Sequence, residues 1–408
     1  MRWLILLLAI ATGCGSHCAD IAARKQALLA RTASAPGPHV EIQLPLARAN
    51  AFIAGLLQEQ PLAVPLEVPK LGPIAIAIPA LTATAVEVRI LPAAPDRVRF
   101  AIRIAIADDH PITTINVETE VTPRLVREAD GTELSAGFGP ANLTAARPEL
   151  GGDAKAAIVQ ALRRWVPDAV PTIVLEAAAD RFASHLIGEA YSALQRTLLR
   201  RLGDVTQLKI RLPELPIAKV ALASTNTRLT IDLTTDLPVR RALAPIAASD
   251  QLSVRMSSST ATAVANWSID HGRLPQHYTR GLEPKPDGEF RPYFDYVAED
   301  ARRPVKIHLF QERGGCSYFE VGFLLAVALD GDQLVVSALD RYVESADAGK
   351  VIDSLLWLKQ LILGAVDSSK RAVAQTRLTI GSRSFTTRIV GASAAHDELA
   401  FQLRLDAP

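Results

Sequence analysis

The chain has 408 residues, and 44 Lys and Arg against 43 Asp and Glu leave a formal net charge of +1, a balance that argues against bulk nucleic-acid binding or a polybasic membrane surface. Hydrophobic residues make up 49% of the chain but aromatic residues only 5%, which suits a large aliphatic core and leaves few rings for stacking bases or sugars. Charged residues at 21% exclude wholesale disorder, and the length suggests two or three units of roughly 150 residues each.

Met1-Arg2 is a short positive region, Trp3 to Ile10 an apolar run, and Ala11-Thr12-Gly13-Cys14 a small-residue site ending in cysteine. The run is too short to span a bilayer as a helix and reads as an export signal. Small residues directly before a cysteine resemble the lipobox of bacterial lipoproteins, which implies cleavage after residue 13 and diacylation of Cys14. Acyl chains at about 0.8 kcal/mol per buried CH₂ would then hold the protein on a membrane. Gly15 carries no carboxylate, which resembles lipoproteins sent to an outer membrane and places the expected location in the bacterial cell envelope, facing the periplasm or the cell surface. Cys18 and Cys316 either form a disulfide there or stay as free thiols.

Ala19 to Pro38 reads as a polar tether. Val40 to Leu44 alternates apolar and polar as a half-buried strand does, a short helix is expected from Leu46 to Leu57, and the aliphatic, proline-punctuated run from Pro61 to Pro79 fits extended edge segments. Strands follow at Val86 to Ile90, Phe100 to Ile106 and Ile115 to Val121. In the middle one Phe100, Ile102, Ile104 and Ile106 share one face and Ala101, Arg103 and Ala105 the other, the signature of an antiparallel sheet with one wet face. Gly151 to Leu202 is helical in composition, broken by Pro167 and Pro171. From Pro171 to Leu202, the residues Leu175, Ala179, Phe182, Leu186, Ala190 and Leu194 form one apolar stripe on a helix more than about 40 Å long.

The second half repeats the order. Strands are expected at Leu208 to Leu212 and Leu229 to Leu233, then a helix capped by Ser257 to Ser259 and closed by Gly272, then a loop from Gly272 to Pro304. Sheet resumes at Val305 to Leu309. Phe319, Val321, Phe323, Leu325 and Val327 align on one face, and Asp330-Gly331 turns the chain into Leu334 to Val336. A second long helix is expected to open at Ser345 or Asp347 and to carry Val351, Leu355, Leu358 and Ile362, before terminal strands at Leu378 to Ile380, Phe385 to Val390 and Leu399 to Leu405.

This order resembles the tubular lipid-binding superfamily, and within it the bactericidal/permeability-increasing protein and lipid-transfer protein family. The helix from Ile158 to Leu202 resembles the long helix of that family's N-terminal module, and Ser257 to Leu274, with its serine start, small apolar body and terminal glycine, resembles the C-terminal module helix. The resemblance implies an α+β fold of two tandem modules, 39–215 and 216–408, each a highly twisted antiparallel sheet around a long helix, after a signal peptide (1–14) and a tether (15–38). It implies lipid binding. The family's N-module disulfide has no counterpart, since no cysteine lies between Cys18 and Cys316, the region from Leu309 to Leu334 looks shorter by about a hairpin, and a basic tip for lipopolysaccharide is not evident.

A twisted sheet around a long helix either interdigitates fully or leaves an apolar groove for acyl chains. Candidate lining residues are Phe100, Ile102, Ile104, Ile106, Val117, Phe182 and Leu186 in the first module, with Ala179 and Ala190 leaving room for a lipid tail. In the second they are Phe319, Phe323, Leu325, Leu355 and Leu358. The expected ligand is a phospholipid or another hydrophobic molecule. The alternative is a non-catalytic envelope adaptor with a filled core and a protein partner, favoured by the aromatic cluster Tyr278, Phe290, Tyr293, Phe294 and Tyr296 in the loop.

No catalytic residue, metal site or cofactor is expected. Gly391 to Ala395 lacks the last glycine of a nucleophile elbow, and the eight histidines fall in no metal spacing. His308 on an alternating strand reads as a surface residue, and Asp108-Asp109-His110 as solvated turn residues.

Overall fold

The computed structural model describes residues 18–59, 62–66, 79–128, 131–136, 147–193, 208–212, 215–245, 250–279, 283–330, 333–345, 377–380, 383–395 and 397–406. Among the described residues it is an α+β protein with five helices and three antiparallel sheets.

The largest sheet has ten strands in the spatial order β10 (Ile217–Ser224), β11 (Arg228–Thr235), β1 (Val40–Pro45), β12 (Leu252–Ser257), β19 (Glu398–Asp406), β18 (Arg383–Ala395), β17 (Arg377–Ile380), β9 (Leu208–Leu212), β7 (Gly131–Ala136) and β6 (Arg124–Glu128). Strands from both ends of the sequence interleave in it. β1 lies between β11 and β12, with Glu41 opposite Asp232 on one side and Arg255 on the other. The two halves of the chain therefore share one sheet and complete each other's hydrogen-bonding edges.

A five-stranded sheet runs β2 (Leu62–Leu66), β3 (Leu81–Leu91), β4 (Val98–Ala107), β5 (Pro111–Val121) and β8 (Arg147–Leu150). β2 carries Pro65 and sits at the edge, where a residue without an N–H costs no ladder bond on the open side. On β4 the alternation places Val98, Phe100, Ile102, Ile104 and Ile106 inside. The opposite face is wet and charged, where Arg97 and Arg99 bind Glu120 and Arg103 lies 3.4 Å from Glu87. Helix α2 (Leu46–Glu59) packs on β1 and β3 through its buried Leu46, Ile53 and Leu57, and Asn50 exchanges two hydrogen bonds with the backbone of Ile90.

The four-stranded sheet runs β13 (Phe290–Tyr296), β14 (Val305–Gln311), β15 (Tyr318–Asp330) and β16 (Gln333–Ser345). Helix α5 (Ser258–Asp270) covers β13, and both of its ends follow the sequence signals. The Ser257 hydroxyl accepts a 3.0 Å bond from the Thr260 N–H, and Gly272 at φ +68° follows the C-cap His271.

Two expectations need correction. The segment from Gly272 to Pro304 is not all loop: β13 occupies its centre, and Tyr278 bridges both Pro284 and Phe290. Pro292 and the run of aromatics hide the two-residue period, and an edge position accommodates the proline. Gly288 is required there, because a Cβ would lie 2.4 Å from the Tyr278 backbone. The aromatics face inward, with Tyr278, Phe290 and Tyr296 at most 4% exposed.

The second correction concerns the polar segment after residue 18. Residues 18–29 form a helix, α1, fastened to the four-stranded sheet rather than free as a tether. Cys18 is disulfide-bonded to Cys316 across 298 residues of sequence, Lys25 pairs with Glu312, Arg24 with Glu320 at 3.5 Å, and Arg31, just beyond the helix, with Asp295. The helix is basic where the sheet face beneath it is acidic, which no local pattern in the sequence reveals. The expected second long helix, with Leu355 and Leu358, lies outside the described residues.

Candidate functional site

Helices α3 (Ala154–Trp165) and α4 (Thr172–Ala193) are separated where Pro167 and Pro171 interrupt the backbone ladder, and Val166 caps the first in an extended conformation. The two pack on each other, α3 also packs on β5, and α4 touches both β2 and β8. On α4 the i, i+4, i+7, i+11 positions Leu175, Ala179, Phe182 and Leu186 are all no more than 2% exposed.

These residues join Phe100, Ile102, Ile104, Ile106 and Val117 in one apolar cluster. Ile102 sits opposite Val117 in the β4–β5 ladder, so the sheet contributes a continuous aliphatic floor. Trp165 closes one side, its ring edge-on to Phe182 with centroids 5.7 Å apart. Its indole N–H donates to Asp108 at 3.0 Å, and Asp108 also accepts from the His110 backbone, so the Asp108 to His110 turn is a fastening point for α3. Ala190 lies on α4 too, with its backbone alone described.

Sequence reading passed over His185, which flanks the stripe between Phe182 and Leu186. Among the described residues its Nε2 is buried without a hydrogen-bond partner. A single histidine beside an apolar row carries no sequence signal; only the packing isolates it.

The second set of expected lining residues falls in a separate cluster. Phe319 and Phe323 are buried with Tyr278, Phe290, Ile307, Leu309 and Val321, and Leu325 packs against them partly buried. Phe290 and Phe319 meet edge-on at 5.7 Å.

The opposite face of this sheet is buried as well, under α1, and here the reading of His308 as a surface residue is overturned. His308 is 5% exposed, its Nδ1 is 2.7 Å from the Tyr318 hydroxyl, and that hydroxyl donates to Glu320 at 2.6 Å. Asp295 of β13 lies 4.0 Å from its Nε2, and Arg24, Arg31 and Lys306 face the same pocket. Burial, aided by those cations and opposed by Asp295, pushes the imidazole down to about 4 from its ordinary 6.5. Its folded value is depressed, so on acidification the unfolded chain takes up the proton first. The contribution of His308 to stability is therefore expected to be full above pH 6.5 and to fall by about 3 kcal/mol as pH drops towards 4. Arg97 and Arg99 hold Glu120, and Lys306 holds Asp300, below the ordinary carboxylate range, so those groups weaken the fold only at still lower pH. Urea unfolding at pH 7 and pH 5 will show the loss in the natural protein and a flatter response in His308→Gln.

Ser393, in the run that faintly resembles a nucleophile elbow, lies within strand β18 opposite Ala400. No group of three or more His, Cys, Asp or Glu capable of holding a metal occurs among the described residues, and no helix among them is long and apolar enough to cross a membrane.

No family model matches the chain, and no curated protein matches it. Among solved structures, P47 of Clostridium botulinum E1 aligns at 8% identity over 91% of this chain and 99% of that one, with a TM-score of 0.42. P47 from Clostridium botulinum A2 aligns at 7% identity over 90% and 97%, with a TM-score of 0.39. A lipopolysaccharide binding protein aligns at 10% identity over 91% and 99%, with a TM-score of 0.31. At these scores the likeness carries no argument about this chain.

Proposed function

We propose that the protein is a lipid-anchored component of a bacterial envelope that binds a phospholipid or similar hydrophobic ligand between α4 and the five-stranded sheet, and carries it without chemistry. The observation that supports this most is the contact of α4 with both β2 and β8, the two edges of that sheet. Contact with both edges is what a sheet curled about α4 gives, the half-tube that the tubular lipid-binding resemblance implies.

Within that curl the helix presents Ala179 between Leu175 and Phe182, a small side chain where a tail can lie. His185 Nε2 beside the stripe offers an unsatisfied polar group to a ligand oxygen. The terminal cysteine signal at Cys14 supplies the anchor, with acyl chains in the bilayer and the folded body outside it.

A second reading, an envelope adaptor with a filled core, is favoured by the completeness of burial: Phe100, Ile102, Ile104, Val117, Ala179 and Phe182 are all no more than 3% exposed. The two part in a vesicle assay. A chain starting after Cys14 is mixed with donor vesicles holding a self-quenched fluorescent phospholipid and unlabelled acceptors. A carrier raises the dequenching rate in proportion to its concentration; an adaptor leaves the rate at that of vesicles alone.

A further inference from the structure

The disulfide Cys18–Cys316, taken with the anchor at Cys14, fixes which end of the molecule meets the membrane. We propose that the end of the four-stranded sheet formed by the connection 312–317 and the neighbouring turn 283–289 lies on the bilayer surface, and that the hairpin tip 297–304 points away from it. The inference rests on the lipoprotein reading and adds to it an orientation.

The argument is one of reach. Cys14 and Cys18 are four residues apart, so even a fully extended chain separates them by at most about 14 Å. The disulfide holds the Cα atoms of Cys18 and Cys316 5.3 Å apart, so the β14–β15 connection sits within about 20 Å of an acylated Cys14. Along strand β14, Glu312 of that connection and Pro304 of the 297–304 tip are eight steps apart, about 26 Å. The slack is shorter than that span.

Helix α1 cannot swing to offset this. Lys25–Glu312, Arg24–Glu320 and Arg31–Asp295 hold it along the sheet, and Arg24 and Lys25 lie over the rings of Tyr318 and Tyr293. Around the proposed contact, the Glu312 N–H donates to the Glu289 carbonyl and His277 pairs with Glu312, so the two segments form one surface. Arg313 is exposed on it, as are Glu283 and Lys285, the lysine paired with Asp287 at 3.3 Å. Directly behind lie Phe290 and Phe319, which brings the second apolar cluster, Phe319 included, to within a few residues of the lipid headgroups.

The test uses the full chain, exported and lipidated, reconstituted in vesicles of phosphatidylethanolamine and phosphatidylglycerol. A photoreactive residue is placed at one exposed position per variant, as Arg313→p-benzoylphenylalanine or Glu299→p-benzoylphenylalanine, and lipid adducts are counted by mass spectrometry. The mass of the N-terminal peptide reports acylation of Cys14 independently. The expected result is an acylated peptide and several-fold more lipid adduct from position 313 than from 299. In a variant that removes the disulfide together with the ion pairs of α1, Cys18→Ser, Cys316→Ser, Arg24→Ala, Lys25→Ala and Arg31→Ala, that ratio drops towards one with acylation unchanged. An acylated peptide with equal adducts, or more from 299, overturns the orientation while leaving the anchor intact. An unacylated peptide overturns the anchor itself, and the orientation with it.

Discussion

Replacing Arg255 by alanine is expected to cost about 3–5 kcal/mol of folding stability, the range for removing one partner of a buried ionic network. Arg255 is 2% exposed in the middle of the ten-stranded sheet, on β12. Its guanidinium donates to Glu41 of β1 at 2.7 Å, to Glu398 of β19, and to the Ala244 carbonyl at 2.9 Å. It thus ties three adjacent strands, one from near the start of the chain and one from near its end. Removing it leaves Glu41 facing Asp232 across the β1–β11 ladder with the neutral Gln43 amide still donating to Glu41.

The pH dependence of this loss gives it a signature. Burial and then Glu41 already raise the Asp232 carboxyl, while Arg255 lowers it. Without the guanidinium, Asp232 rises further. A raised folded value favours the protonated, acidic side, so Arg255→Ala should be most damaging near neutral pH and partly relieved near pH 5. Arg255→Met, which keeps the volume but not the charge, should show the same trend. Urea midpoints at the two pH values measure both; a cost below about 1 kcal/mol would mean the network adds little to the sheet.

Ala179→Trp is the second large effect, and its sign separates a groove from a filled core. Ala179 is fully buried on the face of α4 that meets the sheet. In a filled core the added indole must displace packed atoms, costing about 1–3 kcal/mol or more. In a groove it takes the volume of an acyl tail. The expected result is lipid occupancy reduced at least about tenfold with the ligand-free stability changed by less than about 1 kcal/mol. Lipid content by extraction and unfolding midpoints of the delipidated protein give the two numbers.

Much of the fold was legible where its signals are local. The two-residue alternation of Phe100 to Ile106, the proline break between α3 and α4, and the serine cap and glycine stop of α5 all act within a few residues and all appear in the structure. What the sequence concealed is long-range. The pairing of Cys18 with Cys316, and of Arg24 and Arg31 with carboxylates 296 and 264 residues on, depends on which distant segments meet. His308 illustrates the cost: its strand alternates, but α1 covers the face that alternation marks as wet, so every residue of β14 is buried. The strands β10 and β12 were missed because each is one member of a sheet whose neighbours come from elsewhere in the sequence. Of the candidate groove, Phe100, Ile102, Ile104, Ile106, Val117, Ala179, Phe182 and Leu186 do converge in one cluster, since a stripe and an alternating strand each define a face. His185 was invisible, because an orphaned nitrogen exists only once its surroundings are folded.

The central claim, a hydrophobic ligand held between α4 and the five-stranded sheet, is tested most directly by native mass spectrometry of the chain starting after Cys14, purified from cells without detergent. A carrier leaves the instrument with one or a few bound lipids that extraction identifies, and Ala179→Trp loses them. A clean protein mass, unchanged after incubation with mixed liposomes, would contradict the claim and mark the apolar cluster as a filled core.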